Sequence, residues 1–182
     1  MYEVEVKVPA DHEPVRERLS ELDAESLGTV QQVDTYYDAP HRDFETTDEA
    51  LRIREETQVE GVTTVTRLTY KGPKVDSQSK TRAEHESSVG DADAINAALT
   101  RLGFEPVAEV TKIRERYAWD GYTVTLDVVD GLGEFVEVER EATKDEIESA
   151  RDGALDILES LSLEPTASVR TSYLGLLLDA SE

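Results

Sequence analysis

The chain has 182 residues, and 41 Asp and Glu against 19 Lys and Arg give it a formal net charge of −22. That balance excludes a general nucleic-acid binder, which needs a basic face to displace counterions from phosphates. No run approaches the roughly 20 apolar residues that span a bilayer, and the absence of cysteine removes disulfides, thiolate metal sites and a cysteine nucleophile.

With no signal peptide ahead of the first strand-like segment, the expectation is a cytoplasmic chain with one domain over residues 1–182. Only six lysines stand beside thirteen arginines. An acidic, lysine-poor surface of this kind resembles that of a halophile's protein, kept soluble where counterions screen its self-repulsion.

From the N-terminus, Tyr2, Val4, Val6 and Val8 alternate with Glu3, Glu5 and Lys7, the pattern of a strand with one buried face. Val15, Leu19 and Leu22 then recur at helical spacing between about Asp11 and Glu25, with Pro14 tolerable in the first turn. Further strands are expected at about 31–38, 50–56, 62–71, 80–88, 107–119, 122–129 and 134–140. A helix fits 92–102, capped by Asp91 and closed by Gly103. Another starts at Thr143, which forms a capping box with Glu146, and runs to about Ser160. A last helix covers about 168–179, where Tyr173, Leu174, Leu176, Leu177 and Leu178 dock. Gly72–Thr81 is the most loop-like interior stretch. Eight strands with few helices make an α+β protein around a largely antiparallel sheet or barrel.

The polar faces of these strands are unusual. Arg52 and Arg54 share a face, as do Arg67 and Lys71; Lys80, Arg82, Glu84 and Glu86; Lys112, Arg114 and Arg116; and Glu137 and Glu139, while Asp127 opposes Leu126 and Val128. Together with Glu3, Glu5 and Lys7, these seventeen residues hold ten of the 19 bases but only seven of the 41 acids. Four of the six lysines are among them, on a chain that elsewhere discards lysine. Either the faces are exposed and their charges pair, or the sheet closes into a barrel whose charged face lines an interior wide enough for a ligand. In the second case the apolar faces point outward beneath the helices. Arginine forks and lysines suit phosphoryl oxygens. The i, i+2 pairs Glu3/Glu5 and Glu137/Glu139 offer oxygen-only ligands to Mg²⁺ or Mn²⁺.

The ordered series Glu3-Val-Glu5-Val-Lys7, Asp34-Thr-Tyr-Tyr-Asp38, Arg52-Ile-Arg54, Thr69-Tyr-Lys71-Gly-Pro73, Arg82-Ala-Glu84-His-Glu86, Lys112-Ile-Arg114-Glu-Arg116 and Leu126-Asp127 through Glu137-Val-Glu139 resembles the CYTH family of triphosphate tunnel metalloenzymes over essentially the whole chain. With Ser172-Tyr-Leu174, the Gly131–Glu139 segment is most similar to the class IV adenylate cyclase branch. The resemblance implies an eight-stranded antiparallel tunnel with helices packed outside, binding a nucleoside or inorganic triphosphate with Mg²⁺ or Mn²⁺. It implies Glu3, Glu5 and Glu137 as metal ligands, with Asp127 and Glu139 as candidates for the same site. Lys7, Arg54, Lys71, Lys112 and Arg114 become triphosphate contacts, Lys7, Lys112 and Arg114 among them catalytic. Arg52, Arg67, Lys80, Arg82 and Arg116 are further contacts. Asp34 or Asp38 is expected to pair with a tunnel arginine, and His12, His41 and His85 are expected to be incidental. The implied reaction is cyclisation of ATP, with triphosphate hydrolysis or non-catalytic polyphosphate binding as alternatives; a homodimer stays open.

Overall fold

The computed structural model describes residues 1–61 and 63–180. Its eight strands are β1 (Tyr2–Pro9), β2 (Glu25–Asp38), β3 (Ala50–Gln58), β4 (Thr64–Lys74), β5 (Lys80–Val89), β6 (Glu105–Trp119), β7 (Tyr122–Val129) and β8 (Gly133–Ala142). They close into a barrel in the order β1-β5-β4-β3-β2-β6-β7-β8, and every neighbouring pair is antiparallel. Two meanders, β2 to β5 and β6 to β8, are joined by the long β2–β6 ladder, and β1 closes the ring between β8 and β5. The helices α1 (His12–Glu21), α2 (Phe44–Thr47), α3 (Ala92–Arg101), α4 (Ile147–Ser160) and α5 (Tyr173–Ala180) lie outside or across an end. Residue 62 of the strand expected at 62–71 lies outside the described residues.

Period-two alternation decides which way each side chain points, and closure buries both faces of β1. Val4, Val6 and Val8 are dry on the outside, while Glu5 and Lys7 are buried on the inside. The single buried face expected for this strand is therefore corrected to two. Val6 and Val8, with Val124, Leu126, Val136 and Val138, pack under Val15 and Leu19 of α1, Ile157 and Leu158 of α4 and Leu161 just beyond it, while Val4 packs with Ala142 and Ala150. Each such side chain contributes about 1.5–3 kcal/mol by leaving water. The capping box of Thr143 and Glu146 forms as expected and starts the 3₁₀ turn that leads into α4. α4 approaches so closely that a Cβ on Gly153 would lie 2.1 Å from the Tyr122 hydroxyl, which donates to the Ala150 carbonyl.

Four boundaries differ from expectation. α1 stops at Glu21, where Asp23 turns the chain with φ 56°, and β2 begins at Glu25 rather than at 31. Its first residues pass through a bulge between Ser26 and Gly28; Gly28 takes φ 94°, and the bulge interrupts the alternation that marks a strand. The short α2 was not expected; Asp43 caps it by accepting from Glu45 N. The stretch 72–81 is loop only at its centre, because β4 continues to Lys74 and β5 resumes at Lys80. That loop is tied down through Asp76 to Arg151 and through the carbonyls of Asp76 and Ser79 to Arg170. The last helix starts at Tyr173, five residues late. Among the described residues, no helix is long and apolar enough to cross a membrane.

Candidate functional site

Strand register places every charged residue singled out above on the inner face. Going round the ring, Glu3 and Glu5 of β1 face Arg82 and Lys80 of β5, Arg67 of β4 faces Arg54 of β3, and Arg54 faces Asp34 of β2. Arg114 of β6 faces Asp127 of β7, and Lys7 and Glu5 face Glu137 and Glu139 of β8. So many buried charges are tolerable only where they are paired, and the interior sorts them into groups.

The first group is a cavity of about 550 Å³ at the end where β3 starts and β4 finishes. Its lining combines Arg52, Lys71, Lys80, Arg82 and Arg170 with the acidic Asp38, Asp43, Glu45, Asp48, Glu49 and Asp179 and with the apolar Phe44, Leu51, Val107, Leu174 and Leu178. Arg82 is committed to the wall: its guanidinium donates to the carbonyls of Asp48 and Gly72 and to the Asp48 carboxylate. The same carboxylate holds Lys74 at 2.9 Å.

Deeper in, Asp34 is wholly buried and accepts both arms of the Arg54 fork at 2.6 and 2.7 Å, with Lys112 at 3.5 Å and Arg52 at 3.9 Å. Burial favours its neutral form, but Arg54 and Lys112 outweigh that and hold its carboxyl far below the usual range. The expectation that Asp34 pairs with a tunnel arginine is met. Asp38 instead accepts from the backbone of Ala39 and Phe44, shaping the turn into α2.

Burial, then the like charges of Arg54 and Arg114, push the Lys112 ammonium down to about 7. Burial and Lys80 push Lys7 down to about 8. Between these lysines lies Tyr173 of α5, its ring 4.1 Å from Lys7 Nζ and 5.0 Å from Lys112 Nζ. The Tyr173 hydroxyl donates to Asp127 at 2.7 Å. Lys7 Nζ has no hydrogen-bond partner among the described residues.

Arg114 is gripped by both oxygens of Asp127 at 2.8 and 2.7 Å and by Glu137 at 2.9 Å. Burial would lower its pKa, but these carboxylates hold it well above its ordinary value. Of the five carboxylates expected at the metal, the structure gathers three: one oxygen from each of Glu3, Glu5 and Glu139 lies within 4.8 Å of the others. Asp127 and Glu137 turn to Arg114 instead. In the cluster, burial and the nearness of Glu3 push the Glu139 carboxyl up to about 8. Glu3 stays well below the usual range despite burial, because Lys71 lies 2.5 Å away. Three crowded oxygen donors with no nitrogen or sulfur among them fit a hard divalent cation such as Mg²⁺ or Mn²⁺, whose charge would relieve that crowding.

At the opposite end of the barrel, Arg67 and Arg116 are part-exposed and both turn to Glu56. The histidines divide: His41 and His85 are exposed, whereas His12 is buried with Nε2 2.8 Å from the Phe135 carbonyl. It fastens α1 to β8.

Strand parity also carried Gln32 and Tyr36, which share a face with Asp34 and went unassigned. For Tyr173 there was no such signal, since an apolar helical run does not say which member enters the barrel.

A family model described as CYTH domain matches residues 1–173. A Methanocaldococcus jannaschii protein named "putative adenylate cyclase" is 38% identical over 178 residues, 97% of this chain and 98% of its own. A solved Pyrococcus horikoshii structure superposes with a TM-score of 0.90 at 44% identity, over 98% of this chain and 99% of that one. A Hippeastrum protein, described as a "putative adenylyl cyclase" with a dominant triphosphatase activity, shares the fold with a TM-score of 0.66 at 17% identity, over 98% and 95% of the two chains.

Proposed function

This chain belongs to the CYTH domain family, and from that premise we propose that it is a divalent-cation-dependent enzyme converting ATP into 3′,5′-cyclic AMP and pyrophosphate. The observation that carries the choice of a nucleoside triphosphate is the mixed lining of the cavity. Cations suit a phosphate chain, and Phe44, Leu51, Val107, Leu174 and Leu178 supply an apolar surface for which inorganic triphosphate has no use. The 38% identical relative's name agrees with this reading.

In this reading Glu3, Glu5 and Glu139 hold the cation, which supplies charge neutralisation at the phosphoryl oxygens. Arg52, Lys71 and Lys80 receive the triphosphate as it enters the cavity. Lys7, Arg54, Lys112 and Arg114 lie deeper and meet the charge that develops as the bond between the α-phosphorus and the leaving pyrophosphate breaks. Asp34 aims Arg54, while Asp127 and Glu137 aim Arg114, so these forks are oriented before substrate arrives. Arg82 acts through the wall, holding α2 against β4.

Triphosphate hydrolysis is the second reading, because the inner cations require no nucleoside. A non-catalytic binding module would have no need of the Glu3, Glu5 and Glu139 cluster. Incubation of ATP with Mn²⁺, in molar salt to screen the charge of −22, followed by chromatography of the products, separates the three. Cyclic AMP with pyrophosphate is expected. ADP with phosphate, or cleavage of tripolyphosphate without a cyclic product, selects hydrolysis, and saturable binding without product selects the module.

A further inference from the structure

Along β3 the inward side chains run Arg52, Arg54, Glu56 from the cavity toward the opposite end, roughly 7 Å of strand between each and the next. On β6 the series is Lys112, Arg114, Arg116. Glu56 breaks what is otherwise a cationic wall. Its carboxylate is 8% exposed and accepts from Gln32 Nε2 at 2.7 Å and from Arg116 at 3.0 Å, with Arg67 at 3.8 Å. Four strands, β2, β3, β4 and β6, thus converge on one carboxylate. Burial opposes its ionisation, but Gln32 and Arg116 hold its pKa below the ordinary glutamate value, so it is anionic at neutral pH.

A phosphate chain advancing past Arg52 and Arg54 would find Arg67 and Arg116 next, were those two free. Glu56 holds Arg116, shares Arg67 with Glu86 at 3.6 Å, and sets a buried negative charge in the path, where phosphoryl oxygens meet repulsion strengthened by low surrounding polarity. We propose that Glu56 is the end stop of the phosphate track, fixing how far a polyphosphate chain advances and therefore which phosphorus lies beside the reacting groups. The inference rests on the triphosphate reading above and deepens it: the stop selects chains of three phosphates over longer ones. Glu56 is a positioning residue that touches no reacting atom. Ordinary cross-strand ion pairing, by contrast, gives it a role in stability and none in chain length.

The test is binding of inorganic tripolyphosphate and inorganic tetrapolyphosphate with Mg²⁺, by calorimetry, to the wild type and to Glu56→Gln. The wild type should prefer tripolyphosphate. The variant should bind tetrapolyphosphate at least tenfold more tightly than the wild type does, with less than a threefold change for tripolyphosphate. The double variant Glu56→Gln/Arg116→Gln should lose most of that gain, because the released arginine supplies it. Should Glu56→Gln fail to fold, Glu56→Asp draws the charge back by one methylene and should give a two- to fivefold gain for the longer chain. Equal changes for both chains, or none, overturn the end stop while leaving the triphosphate reading in place. Binding of neither chain by any of the proteins overturns both.

Discussion

The barrel wall is built differently on its two sides. Along β1, β7 and β8 most outward residues are sealed under α1 and α4: Val4, Val124, Val136 and Val138 expose nothing, and neither does Leu158 of α4, although Val128 near the end of β7 is exposed. Along β4 and β5 the outward Leu68 and Tyr70 are only half-buried, and His85 and Ser87 are exposed, although Ile53 on β3 is buried. α3, lying near β3 and β6, buries none of its residues. The inner faces follow the same division. Glu3, Glu5 and Glu139 stand on the wall backed by a dry core, whereas Arg67 and Lys71 stand on a wall that is more open to water behind. Three carboxylates crowded together disfavour one another's ionisation, and the sealed wall holds them in place against it. Arginines and lysines closing on a flexible phosphate chain need no such backing.

The largest expected effect breaks this contrast directly. Leu158→Ala, at the centre of the sealed side, should destabilise the protein by about 2–5 kcal/mol through lost burial and a residual cavity. Ile113→Ala, on an outward β6 position that is 39% exposed, should stay within about 0.5 kcal/mol. Denaturant unfolding of both variants measures the difference; equal losses would mean that the two walls are equally supported.

Next is the cluster that the sealed wall carries. Glu139→Gln should lower Mn²⁺-dependent turnover about 100-fold, the scale on which removing one electrostatic partner of a developing charge acts. In chelator near pH 7 the same variant should melt a few degrees higher than the wild type, because folding no longer has to protonate a carboxyl pushed up to about 8 by burial and by Glu3. A variant that loses stability but keeps full activity contradicts the assignment.

The sequence makes this division of labour partly legible, and the limits are physical. Inward and outward positions follow from period two alone, which is why the basic residues of β3 and β6 and the acids of β1 and β8 could be grouped before any coordinates. Which carboxylate meets which cation depends on barrel register, a property of no single strand. By periodicity Glu137 and Glu139 therefore read as equals, and the resemblance put Glu137 first at the metal, although Glu137 grips Arg114 and Glu139 faces Glu3 and Glu5. The opening residues of β2 stayed hidden because the Gly28 bulge breaks alternation, and Tyr173 because an entering side chain leaves no periodic trace.

On the open wall's side of the interior, Lys112→Ala should weaken tripolyphosphate binding by about 1.5–3 kcal/mol, the worth of a charge-assisted hydrogen bond. Calorimetry with Mg²⁺ present measures this, and unchanged affinity would remove Lys112 from the phosphate track.

The smallest effect concerns the titration of the same lysine. Lys112 lies at about 7 rather than near 10.5, through burial and then the charges of Arg54 and Arg114, with Asp34 and Asp127 pulling the other way. The folded protein thus binds fewer protons here than the unfolded chain between pH 7 and 10.5, so this group makes the ligand-free fold more stable as pH rises across that window. Phosphate binding runs in the opposite direction. An arriving anion favours the ammonium, so at pH 8 binding should take up a proton, and affinity should fall about three- to tenfold from pH 6 to 9 as the free lysine goes neutral. Lys7, at about 8, contributes in the upper part of the range. Lys112→Arg keeps the charge at every pH and should lose the lower part of this dependence. Calorimetry in two buffers of different ionisation enthalpy reads the proton count, and subtracting the variant from the wild type removes the protons of tripolyphosphate itself. Equal proton uptake in the two proteins at pH 8 would show that Lys112 is already charged when the phosphate arrives, and that the dry interior around it admits more water than its burial implies.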